Sequence, residues 1–183
     1  DDEINKYSIY ETKTNKLIVP LINSIQIYNL KDYTLEKEIK VDKSIQSISY
    51  NKDETKMIVR YYDTYAIVDM ATGVTEKIVN ASVNDVIFSE DGKSVIEYRN
   101  NSLTWKNIET DEVIKILEVG RGSFSNDYKY FITMYSGGNN IYDLSTGNII
   151  QTNSFNFDRN FKTMGNLIFL WSDKKLEIID FIN

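Results

Sequence analysis

Two short motifs recur in phase along the whole chain, and a repeat of this kind constrains the architecture before any local reading is made. The first motif joins an aromatic residue to a polar turn. Its clearest copies are Phe88-Ser89-Glu90-Asp91-Gly92-Lys93 and Phe124-Ser125-Asn126-Asp127-Tyr128-Lys129, with Tyr50-Asn51-Lys52-Asp53-Glu54 as a looser third. Each copy precedes an apolar run: Met57-Ile58-Val59, Val95-Ile96 or Phe131-Ile132. Extended outward to Tyr10 and Phe161, the aromatic anchors step by 40, 38, 36 and 37 residues. The second series is Ile27-Tyr28-Asn29-Leu30, Ile67-Val68-Asp69-Met70, Thr104 to Ile108, Ile141-Tyr142-Asp143-Leu144 and Ile178-Ile179-Asp180-Phe181. Its polar residues Asn29, Asp69, Asn107, Asp143 and Asp180 step by the same 40, 38, 36 and 37.

Within one unit, the apolar runs and turn residues read as four strands. In the second unit these are Ile45 to Tyr50, Lys56 to Tyr62, Tyr65 to Asp69 and Thr75 to Val79. All the links are of hairpin length, so the strands form an antiparallel meander. The second strand is apolar almost throughout, as burial on both faces requires. A four-stranded meander cannot cover both its faces alone, and radial stacking on its neighbours does so. The expected fold is therefore all-β, a β-propeller of about five four-stranded antiparallel blades. The expected domain is a single one over residues 1–183, with units at about 6–40, 45–79, 83–117, 120–152 and 157–183. The last blade counts only three strands, and three arrangements satisfy that count: a ring closed with a three-stranded blade, an excerpt of a longer chain, or an open blade edge that pairs with another chain. Closure as five blades is the preferred reading. Pro20 lacks a ladder donor and is expected at a bulge or strand end.

At these motifs the chain resembles the WD-repeat and related β-propeller families, in which a Phe-Ser-x-Asp-Gly-Lys segment is followed by a Trp-Asp pair and a Thr-Gly turn. Ala71-Thr72-Gly73 and Ser145-Thr146-Gly147 supply that turn, and Glu109-Thr110-Asp111 is a degenerate version. Val68-Asp69 and Tyr142-Asp143 stand where the Trp-Asp pair would be, and there is no Gly-His pair. The resemblance implies a rigid platform that binds another protein.

Composition narrows function mainly by exclusion. With no His and no Cys, the commonest general base, the commonest metal ligand and all thiolate chemistry are absent. A formal charge of −6 argues against a broad phosphate-binding footprint, so nucleic acid is not an expected partner. With 42% hydrophobic residues and no long apolar run, neither disorder nor membrane insertion is expected. The compartment stays open between cytoplasmic and extracytoplasmic; no secretory signal is visible at Asp1-Asp2-Glu3, and a chain trimmed of its signal would read the same way. No catalytic residue, metal site or cofactor is assigned.

Placing Arg on the repeat template selects one face, shared by the ends of second strands and the connections between blades. Arg60 and Arg99 fall at second-strand ends, Arg121 and Arg159 in or beside connections, with Tyr61, Tyr62, Tyr98, Tyr135 and Trp171 at related positions. Arg, Tyr and Trp dominate binding hot spots, so these nine residues form the candidate protein-binding face. The competing reading is that the aromatics fill blade packing and the Arg residues are solvated tips. A second class of function is a small-molecule or glycan binder, or a carboxylate hydrolase, working through the central channel; carboxylates of perturbed protonation at the channel mouth would favour it. Asp69, Asn107, Asp143 and Asp180 are read as turn caps, because one repeat apart they cannot share a cation. Glu90-Asp91-Gly92, Asn126-Asp127 and Gly137-Gly138 are read as turns.

Overall fold

A computed structural model describes residues 10–134, 139–153, 160–164, 167–172 and 175–180. The described residues form five antiparallel sheets and no helix. The first sheet contains β1 (Tyr10–Glu11), β2 (Lys16–Pro20), β3 (Ser24–Asn29) and β4 (Leu35–Lys40). The second contains β5 (Ser47–Tyr50), β6 (Lys56–Arg60), β7 (Tyr65–Asp69) and β8 (Thr75–Val79). The third contains β9 (Asp85–Phe88), β10 (Ser94–Arg99), β11 (Ser102–Asn107) and β12 (Val113–Glu118). The fourth contains β13 (Gly122–Phe124), β14 (Tyr130–Thr133), β15 (Asn139–Asp143) and β16 (Ile149–Asn153). The fifth has three described strands, β17 (Asn160–Met164), β18 (Leu167–Ser172) and β19 (Lys175–Asp180). Every sheet runs in sequence order, as a meander must.

The period in the sequence corresponds to a period in backbone geometry. In the first hairpin of four successive sheets, Asn15, Glu54, Gly92 and Tyr128 all take positive φ, between 57° and 69°. In the last hairpin, Tyr33, Gly73, Asp111 and Gly147 also take positive φ, between 60° and 79°. A register shift recurs between the third and fourth strands, at Ile27/Tyr28, Ile67/Val68, Trp105/Lys106 and Ile141/Tyr142. Such a bulge bends the outer strand and increases its twist.

Side chains in the turns explain why the motifs repeat. The Ser89 hydroxyl donates to Asp91 Oδ1 at 2.7 Å and accepts from the Ser94 N–H at 3.0 Å; Ser125 treats Asp127 and the Tyr130 N–H in the same way at 2.7 and 2.9 Å. Asn51 Oδ1 closes the second-sheet hairpin by accepting from the Thr55 and Lys56 N–H groups. In the other series, Asp69, Asn107 and Asp143 each accept backbone N–H groups two or three residues ahead, so the turn-cap reading describes them. Pro20 is the last residue of β2, and the chain turns there through a Leu21 N–H to Ser24 carbonyl bond.

The chain separates into two compact units, Asp1–Glu97 and Tyr98–Asn183, with the division inside β10. In the first unit, Ile18, Ile25, Ile27 and Ile39 pack with Ile48, Met57, Val59, Ala66 and Val68 into one cluster between the first two sheets. β9 lies against β5 and β6, and the Ser49 hydroxyl donates to the Val86 carbonyl at 3.1 Å. Glu54 joins neighbouring hairpins by accepting from Lys13 N–H, from Thr14 N–H at 3.0 Å and from the Thr14 hydroxyl at 2.5 Å. In the second unit, Ile132, Ile141 and Ile168 form a cluster flanked by Tyr130 and Ile179. Lys115 on β12 donates to the Thr146 carbonyl at 2.7 Å, and the tip of its side chain lies over Gly147. φ is +75° at Gly147, a conformation that favours glycine, whereas the lysine tip above it could move aside for a side chain.

Candidate functional site

The nine residues of the expected binding face do not share one environment. Tyr135 and Arg159 lie outside the described residues, and Trp171 belongs to β18. The other six divide between packing and exposure.

Tyr61 and Tyr98 are used internally, which corrects their reading as part of an open face, and Arg60 is partly buried and held by a neighbouring hydroxyl. Arg60 ends β6 opposite Ser47 of β5 and is held by its Nε, which donates to Ser47 Oγ at 2.8 Å; only 17% of its side chain is exposed. Tyr61 packs against the core cluster of the first unit, and burial, then the Asp42 carboxylate, raises its phenol above the ordinary value. Tyr98 is 7% exposed. Its ring lies 4.8 Å from Phe131, which in turn meets Phe124 edge-on at 5.3 Å. The Tyr98 hydroxyl donates to the Gly120 carbonyl and accepts from the Gly122 N–H, both at 3.1 Å. A buried tyrosine normally finds such a partner, and here the partners are the two residues flanking Arg121.

Arg99, Arg121 and Tyr62 are exposed, Tyr62 by 82%. Among the described residues, neither Arg99 nor Arg121 makes an ion pair or a side-chain hydrogen bond, whereas Lys16, Lys40, Lys43, Lys52 and Lys56 each face a carboxylate. The backbone carrying the two arginines is fixed. Asn100 and Asn101 turn the hairpin with φ of 49° and 63°; the Asn101 carbonyl accepts Val119 N–H at 2.9 Å and Gly120 N–H at 2.8 Å; and Arg121 accepts Met134 N–H at 2.7 Å. Gly122 is required by close approach, since an added Cβ would strike the Ile132 carbonyl and the Phe131 ring.

Sequence reasoning passed over two residues of the first unit, Ser47 and Asp85. Asp85 opens β9, and its Oδ1 accepts Val86 N–H at 3.0 Å and the Ser47 hydroxyl at 3.2 Å, with Arg60 Nε at 3.7 Å. Desolvation pushes this carboxyl above the ordinary aspartate value, against the opposing pull of Arg60, the Val86 N–H and Ser47. The signal that finds the cluster is a column of the repeat. Ser47, Asp85 and Arg121 each stand three residues before the anchor aromatics Tyr50, Phe88 and Phe124, so one template position holds a hydroxyl, a carboxylate and a guanidinium in turn. Among the described residues, no three His, Cys, Asp or Glu side chains gather as a metal site.

No protein-family profile matches the chain, and no curated protein matches it. Among solved structures, 1227 chains match, a breadth that identifies an architecture and selects no activity. One is Kuenenia stuttgartiensis hydrazine synthase, with a TM-score of 0.62 and 14% identity over 92% of this chain and 58% of that one. The fold is that of a β-propeller. The chain spans 58% of the length of the hydrazine synthase chain it matches.

Proposed function

We propose that the chain is a non-catalytic protein-interaction platform that engages an acidic segment of its partner through the surface carrying Arg99 and Arg121. The observation behind this reading is that two exposed guanidinium groups, without ion pairs among the described residues, rise from backbone that Tyr98, Asn101 and Met134 tie down. A guanidinium offers a planar fork of donors that matches carboxylates, and fixed backbone lowers the ordering cost of docking. In an acidic chain such groups also steer an acidic partner to one place. The test is affinity capture from the source cells with wild-type bait and Arg99→Ala/Arg121→Ala bait. A partner retained by the wild type and lost by the folded double variant supports the reading; an unchanged set of captured proteins sinks it.

The second class of function has one observation in its favour, the raised protonation of Asp85 beside Arg60. Glycoside hydrolysis needs two carboxylates about 5 to 10 Å apart. Asp85 has the raised value such an acid would need, and the charge that acts on it is the Arg60 guanidinium rather than a second carboxylate.

A further inference from the structure

The Ser47, Arg60 and Asp85 cluster leaves one part of its chemistry unused. Arg60 is anchored through Nε alone; among the described residues, its Nη1 and Nη2 atoms have no hydrogen-bond partner. Asp85, the obvious counter-ion, does not occupy that edge. Its Oδ1 accepts from the Val86 N–H and the Ser47 hydroxyl, and its recorded approach to the guanidinium is to Nε at 3.7 Å, beyond hydrogen-bonding distance. The guanidinium is thus held in place on one side, while the edge that presents two parallel N–H donors has no hydrogen-bond partner among the described residues.

We infer that the Nη edge of Arg60 is a docking position for a ligand carboxylate, with Asp85 as a built-in competitor for the same positive charge. The class of ligand follows from shape and charge. A carboxylate accepts both Nη protons in the fork geometry that distinguishes arginine from lysine. The partial burial of the side chain, 17% exposed, means that an anion there meets a charge less screened than one in open solvent. The role assigned to Arg60 does not depend on that assigned to Arg99 and Arg121, and either can fail alone.

Competition gives the site a dependence on acidity whose sign is fixed. A bound carboxylate and an ionised Asp85 share one cation, so ligand binding favours the protonated form of Asp85, and acid favours ligand binding. Among the other titratable groups on the strands that frame the cluster, Tyr50 and Lys56 lie at the far ends of β5 and β6, and Lys56 is paired with Glu76 at 2.6 Å. Arg60 is the charge that acts on Asp85.

The test is an NMR titration of the whole chain, following the backbone amides of Ser47 and Val86. Sodium acetate and a hexaglutamate peptide are added separately at ionic strength matched with chloride. The wild type should show saturable shifts that vanish in Arg60→Gln and in Arg60→Lys, which keeps the charge but loses the fork. Asp85→Asn should bind roughly tenfold more tightly and lose the gain in affinity that the wild type shows on acidification. Tighter binding of hexaglutamate at equal carboxylate concentration assigns the site to a peptide side chain, and equal binding to a free acid. Saturable shifts that persist in a folded Arg60→Lys, or no shift with either probe, overturn the inference. Equal affinity in Asp85→Asn and wild type overturns the competitor role.

Discussion

At the end of its second strand, the first unit carries Arg60 and the second begins with Tyr98, and the two occupy the same place in the repeat. Arg60 is built into a polar cluster with Ser47 and Asp85. Tyr98 is built into an aromatic stack with Phe131 and a pair of hydrogen bonds to backbone. The residue one step on differs in turn: Tyr61 is packed and Arg99 is exposed. The repeat therefore fixes where a strand ends and what backbone surrounds it, while the side chain in that place sets whether the end serves as packing or as an open charge. In the first unit the cation is drawn inward and given a counter-ion; in the second it is released to the surface by an aromatic that does the packing instead.

The largest effect that can break this contrast is expected at Tyr98. Tyr98→Ala empties a buried aromatic site and should cost about 3 kcal/mol or more in urea unfolding; a loss under about 1 kcal/mol would mean that the stack with Phe131 is not what holds this end. Gly122→Ala should follow, at about 2 to 3 kcal/mol, because the new methyl group meets backbone that cannot move aside. Tyr98→Phe keeps the ring and removes the hydroxyl, leaving the Gly122 N–H and Gly120 carbonyl without it, for about 1 to 2 kcal/mol. Smallest of all, the Arg99→Ala/Arg121→Ala double variant should shift stability by less than about 0.5 kcal/mol, as expected for exposed side chains. A large loss there would make the arginines structural and close the distance between the two units.

Acidity sharpens the comparison in a different way. The carboxyl of Asp91 is held below its ordinary value by the Ser89 hydroxyl and the Lys93 N–H. In Asp143, burial acts upward and is outweighed by the Ser145 hydroxyl and the N–H groups of Thr146 and Ser145. Both groups stabilise the fold above the ordinary aspartate value, and that contribution is lost as the pH falls through their lowered folded values. Asp85 has the opposite sign. Its folded value is raised, so the folded chain binds the proton more tightly than the unfolded one, and its contribution declines as the pH rises through the raised value. Asp85→Asn should therefore flatten the decline on the alkaline side of this window while leaving the acid limb unchanged, as read by thermal melts from pH 3 to 7, roughly. A steeper alkaline decline in the variant would reverse the assignment.

Much of the architecture is legible in the residues. The third and fourth strands of the second sheet are read from Tyr65 to Asp69 and Thr75 to Val79, and the structure has the same bounds. The first two strands are shorter than the apolar runs suggest. Ile45 is buried but precedes the ladder, which opens at Ser47, and β6 stops at Arg60 because the Tyr61 N–H turns to the Thr64 carbonyl. Burial thus extends beyond pairing, and composition alone cannot separate them. The candidate face was less legible for a related reason. A polar residue beside a turn looks solvated in sequence, yet Arg60 meets Asp85 from the next sheet, 25 residues on, and Tyr98 finds its partners across the link at Gly120 and Gly122. Those contacts become visible only when equivalent positions are compared down the repeat, where Ser47, Asp85 and Arg121 share a column.

The lysine that crosses from β12 to the Thr146 carbonyl has a practical consequence. Its ammonium is engaged by a carbonyl, and it also lies 5.3 Å from the Trp105 ring centre, so it should acylate more slowly than a freely solvated lysine such as Lys93. Timed amine labelling read by mass spectrometry would then make Lys115 a clock for the parting of the third and fourth sheets, reporting local opening under conditions where the chain as a whole stays folded.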